Sequence, residues 1–297
     1  MTAPEFEARV AAWARQQPDV TALVLGGSRA RTGSAADQWA DWDFQLITPH
    51  PERFRHTGWL AAIAPCWCAH AERTPRGVVK VSAVFEHGFE ADFVPLAVWQ
   101  MKLVYAAMQH PARVRWMPRR LVRGIQETRG FMLGGGYRLL AGGVDWERRF
   151  AALALAWPAI ELSAGEFAQH VTAFWQKAVW IFKKIVRPEL RSAMHWLHLL
   201  VVHHVYVLLA EEARLAGRPA RGEARKAEQW LDAARLRQTQ ITTAPDQQVM
   251  ARALGAALDV FQEVSASVAT QRGFVPGDYS AVAAWLRAEL AKLVTGS

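Results

Sequence analysis

Asp41 and Asp43 stand two residues apart in ADWDF, an apolar run that reads as the start of a strand. Alternate side chains of a strand share a face, so the two carboxylates point the same way while Trp42 and Phe44 pack behind them. Carboxylates that close repel one another unless a divalent cation sits between them. Asp92, in FEADFVPL, is the natural third acid if its strand lies beside DWDFQLIT. A few hard carboxylate oxygens, together with water and substrate phosphates, make the composition of a magnesium site. Upstream, VLGGSRA ends a strand in Gly26 and Gly27. That junction predicts a helix N-terminus whose backbone N–H groups meet a polyphosphate, with the Ser28 hydroxyl adding a hydrogen bond and Arg29 or Arg31 adding charge. A phosphate cradle beside a metal-binding pair suits phosphoryl or nucleotidyl transfer.

The elements that must position these residues follow from periodicity. A helix near residues 4–16 leads into the apolar strand TALVLGG, and DWDFQLIT alternates as a second strand. GVVKVSAVFEHG and FEADFVPL read as two strands joined at His87-Gly88, followed by a helix in PLAVWQMKLVYAAM. Between Pro111 and Gly143 the pattern weakens into Arg-rich segments and the glycines of MLGGGYRLLAGG, where YRLLA fits a late strand. From Asp145 onward strand patterning disappears. Ser163 with Glu166 forms a capping box for a helix whose apolar face is Phe167, Val171, Phe174, Ala178, Phe182 and Ile185. A further helix runs from Pro188 to Gly217, and DQQVMARALGAALDVFQEVSASVATQ and YSAVAAWLRAELAKLV complete a helical half. The expected architecture is α+β: a mixed-sheet domain with flanking helices over residues 1–145, then an all-helical domain over 146–297.

With 297 residues, 52% of them apolar, the chain is long enough for two ordinary cores. No basic stretch followed by an apolar run opens it, and its longest apolar run, Trp196 to Ala210, falls short of the roughly 20 residues of a membrane span. The reading is a cytoplasmic protein without a membrane partner. Cys66 and Cys68, one residue apart, fit two reduced thiols rather than a disulfide framework or a zinc site. A formal charge of +8 points to an anionic partner, and it fits ATP as well as RNA. The 35 Lys and Arg are spread along the chain without a long basic run, which argues against nucleic acid.

GGSRARTGSAADQWADWDF with the later DFVP resembles the nucleotidyltransferase signature: Gly-Ser, then Asp-x-Asp, then a third Asp on a separate strand. More closely, the chain resembles the streptomycin adenylyltransferase group of aminoglycoside nucleotidyltransferases. FWQKAVWIFKKIVRPEL and GFVPGDYSAVAAWL, in that order in the helical half, carry the closer resemblance. It departs from that group at Ala40, in RPEL where RGEL is commoner, and in AGGVD after YRLL. The resemblance implies Mg²⁺-dependent transfer of AMP from ATP to a hydroxyl of an aminoglycoside, with pyrophosphate released. Asp41 and Asp43 would hold Mg²⁺, Asp92 would complete the metal site or deprotonate the acceptor, and Gly27, Ser28 and Arg29 would meet the phosphates. Lys184 would reach the triphosphate, and Glu189 would bind a small, hydroxylated, cationic acceptor. Glu161, Glu166, Glu211 and Glu212 are further candidates for acidic pocket walls. The alternatives are a nucleotidyltransferase acting on RNA or protein, and a non-catalytic nucleotide-binding module. His195, His198, His203 and His204 lack nearby acids to complete a metal site and read as core-edge histidines.

Overall fold

The computed structural model describes residues 1–31, 37–74, 77–108, 117–133, 136–154, 161–218, 220 and 224–295. Its first compact unit, Met1–Ile160, carries a six-stranded sheet, and its second, Glu161–Ser297, is helical among the described residues. The division falls after Ile160, whereas the sequence pointed to the neighbourhood of residue 145. The difference is helix α4 (Val144–Ala154), whose Phe150 and Leu153 pack with Ala22, Val24 and Ile47 of the sheet.

Strands β1 (Ala22–Gly26), β2 (Trp42–Thr48), β3 (Cys66–Arg73), β4 (Val79–Phe85), β5 (Phe89–Ala97) and β6 (Arg138–Ala141) run in the order β3-β4-β5-β2-β1-β6. The β2–β5 pair is parallel and the other four pairs are antiparallel, so the sheet is mixed. The β4–β5 hairpin turns where both His87 and Gly88 take positive φ, the junction read from sequence.

One face of the sheet carries an aromatic cluster. Phe6, Val10 and Trp13 of α1 (Ala3–Gln16) pack with Trp42, Phe44, Phe85 and Phe93. Phe6 meets Trp42 edge-on at 4.9 Å and Phe44 stacks on Phe93 at 5.1 Å. Burial of each such side chain contributes about 1.5–3 kcal/mol, which makes this face the anchor of the unit. The opposite face packs Ala22, Val24 and Ile47 with Met101 of α2 (Val98–Met108), Ile125 of α3 (Arg119–Leu133) and α4. Asp43 and Asp92 lie on this second face, because they alternate with Trp42 and Phe44, and with Ala91 and Phe93, on the first.

In the helical unit, α5 (Ala164–Val186) starts on the Ser163–Glu166 capping box and buries Phe167, Val171, Phe174, Ala178, Phe182 and Ile185, as its periodicity predicts. It shares a core with α6 (Leu190–Leu200), α7 (Tyr206–Leu215), α10 (Gln247–Arg272) and α11 (Ser280–Thr295). Two short helices, α8 (Ala227–Trp230) and α9 (Ala233–Gln238), connect α7 to α10. A π-turn, Val201–Val205, joins α6 to α7. The continuous helix Leu190–Leu215 lies within the Pro188–Gly217 span read from sequence, and by length and composition it passes for a membrane span. Half of its most apolar stretch is buried inside the protein, as in the central helix of a bundle.

Candidate active site

Backbone register brings the three acids together. Asp43 on β2 is paired with Asp92 on the parallel neighbour β5, and on its other side with Gly26 at the end of β1. Asp41 stands just ahead of β2, two residues from Asp43. Each of the three half-buried side chains offers a carboxylate oxygen within 4.8 Å of the others. Three carboxylates so placed match the hard oxygen donors that Mg²⁺ takes, and the donor set fits such a cation.

Gly27 is required at this site on two counts. Its backbone has φ +69° and ψ −152°, a conformation essentially confined to glycine. A Cβ at the position would lie 2.0 Å from Asp43 Oδ2. The second glycine thus lets the end of β1 approach the Asp43 carboxylate. Ser28 opens only a three-residue 3-10 turn, Ser28–Ala30, where the sequence pointed to a helix N-terminus. So short a turn has no helix dipole to offer a phosphate. Residues 32–36 of the quoted stretch lie outside the described residues.

Arg29 is engaged with the protein. Its guanidinium stacks over the Trp42 ring at 3.5 Å, Nε donates to the Ala40 carbonyl at 2.8 Å, and Nη2 donates to the Gln38 carbonyl. Those contacts pin the segment that delivers Asp41. Burial lowers the Arg29 pKa, against the opposing pull of Asp37, Asp41 and Glu7.

Sequence reasoning missed two residues beside the third acid. Ser82 on β4 faces Asp92 across the antiparallel pair and donates to its Oδ1 at 2.5 Å. Lys80, on the same face of β4, donates to Asp92 Oδ2 at 3.0 Å and reaches Glu72 Oε1 at 3.2 Å, Glu72 being its partner in the β3–β4 register. Burial disfavours the Lys80 charge, but hydrogen bonds to Asp92 and Glu72 outweigh it and its pKa is raised. The alternation in VKVSAV places Lys80 and Ser82 on one face; that this face meets Asp92 depends on strand pairing.

Lys184 and Glu189 lie in the helical unit and bind each other, Lys184 Nζ donating to Glu189 Oε2 at 2.6 Å. That hydrogen bond, with the Lys184 charge, lowers the Glu189 pKa. Lys184 also sits over the Trp180 ring. The other expected wall acids are engaged within their own unit. Glu161 and the buried Glu211 pair with Arg272, Glu211 also with Arg214, and Glu212 with Arg235, while Glu166 caps α5. Among the histidines, His204 is buried at the π-turn, where its Nε2 meets Lys177 Nζ at 3.0 Å and its backbone carbonyl accepts from His170.

No family model and no curated protein sequence matches the chain. Among solved structures it is similar to an aminoglycoside 6-adenyltransferase from Bacillus subtilis, at 12% identity over 97% of this chain and 99% of that one, with a TM-score of 0.43. It is also similar to a nucleotidyltransferase-like protein from Exiguobacterium sibiricum, at 13% identity over 99% of this chain and 90% of that one, with a TM-score of 0.33. Superpositions this loose leave the chemistry to be argued from the residues of the site.

Proposed function

We propose that the protein is a Mg²⁺-dependent nucleotidyltransferase that moves AMP from ATP to a hydroxyl of an aminoglycoside such as streptomycin. The observation that carries the reaction class is the convergence of Asp41, Asp43 and Asp92 within 4.8 Å, with Gly27 backed against Asp43. Asp41 and Asp43 hold the cation. When bound, it neutralises phosphate charge and orients the triphosphate. The acceptor oxygen attacks the α-phosphorus in line, the bond to pyrophosphate breaks, and the hydroxyl proton leaves to a base. Asp92 either serves as that base or completes the metal site. Gly27 and Ser28 border the phosphates; Lys184 and Glu189, on the segment that carries the closer resemblance, are the candidates for triphosphate and acceptor binding. The chain works in the cytoplasm, and its two units are a transferase domain and an acceptor-binding helical domain.

The aminoglycoside assignment draws its support from the sequence resemblance in the helical half. A second reading, transfer to RNA or a protein, is favoured by one observation: Glu161, Glu189, Glu211 and Glu212 are all paired with Lys or Arg of their own unit. Together with the charge of +8, that favours an anionic acceptor. Pyrophosphate release from Mg²⁺·ATP, measured across a panel of aminoglycosides, RNAs and proteins, decides between them. Stimulation by streptomycin-like compounds supports the first reading, and stimulation by a macromolecule alone replaces it with the second.

A further inference from the structure

The row of side chains that runs outward from Asp92 has a direction. On the face opposite the aromatic cluster, paired positions across four adjacent strands read Glu72 and Lys80, then Ser82 and Asp92, then Asp92 and Asp43. The charges along it run Glu72 negative, Lys80 positive, then Asp92 and Asp43 both negative. Both oxygens of Asp92 are already engaged, Oδ1 by the Ser82 hydroxyl and Oδ2 by the Lys80 ammonium. Arg29, whose charge interacts with that of Asp41, donates to the backbone carbonyls of Ala40 and Gln38.

We infer that Lys80 is a positioning residue that holds Asp92 at the acid triad while limiting how strongly the triad binds a divalent cation. This rests on the proposed reading of the triad as a metal site. An ammonium in contact with one of three ligand carboxylates cancels part of the negative charge that draws the cation, and it occupies one of the lone-pair directions of Asp92. Asp92 is left with its charge shared, its carboxylate fixed by two donors from β4, and able to take one further partner. The design trades metal affinity for a third carboxylate whose orientation does not depend on the metal. Glu72 holds the ammonium from the far side, which keeps Lys80 in line with Asp92.

The sign of this role separates it from a purely structural ion pair, whose loss would lower stability and leave metal affinity unchanged or weaker. Mn²⁺ binding is measured by titration calorimetry on the full chain without nucleotide, for wild type, Lys80→Met and Lys80→Arg. Lys80→Met is expected to bind Mn²⁺ on the order of tenfold more tightly, as follows from removing one unit charge beside the ligands, while its turnover falls. Lys80→Arg, which keeps the charge, is expected to stay within about twofold of wild type, since the ion–ligand electrostatics are preserved. Mn²⁺ binding by Lys80→Met equal to or weaker than wild type overturns the inference and leaves the metal site standing. A similar tightening in both variants also overturns it, because charge would not be the cause. Absence of Mn²⁺ binding in the wild type overturns the metal site itself, and this inference with it. Should Lys80→Met not fold, Lys80→Gln carries the same expectation.

Discussion

Replacing Gly27 with alanine tests the geometry of the site through a single methyl group. The new Cβ would fall 2.0 Å from Asp43 Oδ2, far inside contact distance, and the backbone at φ +69° and ψ −152° admits alanine only under strain. Strain of this kind costs about 1–3 kcal/mol. For a unit of this size that is a fall in Tm of about 3–10 °C. The clash has a separate consequence: relief requires the Asp43 carboxylate to turn away from Asp41 and Asp92. Losing one charged ligand contact of about 1.5–3 kcal/mol weakens Mn²⁺ binding at least tenfold. Gly88 supplies the control. It has φ +73° with nothing near an added Cβ, so Gly88→Ala carries backbone strain without the clash. The control is expected to lose about 1 kcal/mol and to keep wild-type Mn²⁺ affinity. Melting curves and Mn²⁺ titrations on both variants read the two effects separately. Wild-type metal affinity in Gly27→Ala would refute the argument that the glycine exists to admit the Asp43 carboxylate.

Three other perturbations follow from the structure. Arg29→Met removes two hydrogen bonds to backbone carbonyls and the stacking on Trp42, a loss of about 1–3 kcal/mol; because the segment it pins delivers Asp41, Mn²⁺ affinity should drop severalfold, and unchanged affinity would show that Arg29 does not position Asp41. Burial, with the charges of His170 and Lys177 adding to it, pushes the His204 imidazole down to about 3, and burial also lowers His170. Unfolded histidine takes up its proton near pH 6.5, so this contribution is complete above that pH and is lost as pH falls from about 6.5 toward 3, at up to about 1.4 kcal/mol per pH unit for each histidine. Urea unfolding between pH 7 and 5 should show this slope and His204→Gln should flatten it; an unchanged slope contradicts the assignment. Glu189→Gln should raise the KM for a cationic acceptor and leave the KM for ATP unchanged, the pattern of lost ground-state binding, and a rise in the ATP KM instead would move Glu189 away from the acceptor.

The central strands were legible because apolar and polar residues alternate through DWDFQLIT and VKVSAVF, and the β2–β5 pairing that Asp92 needed to join the two acids is present. Helix α5 was equally plain from its cap and its apolar stripe. Strand β3 escaped notice because it is an edge strand with most of its side chains exposed, so CWCAHAER shows little alternation to read. Without β3 and its register, Glu72 had no visible relation to Lys80, while the meeting of Lys80 with Asp92 rests on the β4–β5 register. The helix expected after Gly-Gly-Ser did not form there: Gly27 takes a conformation set by the approach to Asp43, and only a short turn follows. The π-turn at Val201–Val205 lies within an unbroken apolar helical pattern, and its extra residue leaves no mark on composition. Long-range ion pairs such as Glu211 with Arg272 depend on how distant helices pack, which residue spacing does not reveal.

The central claim is that the acid triad transfers the α-phosphoryl end of ATP as a nucleotidyl group. The direct measurement incubates the protein with Mg²⁺, an acceptor panel and ATP labelled at either the α- or the γ-phosphorus, in wild type and in Asp43→Asn. The account expects α-label in the acceptor and γ-label in pyrophosphate, with Asp43→Asn slower by about a hundredfold or more, the scale of losing one preorganised charged group. Transfer of γ-label to the acceptor, or α-label transfer undiminished in Asp43→Asn, would contradict it.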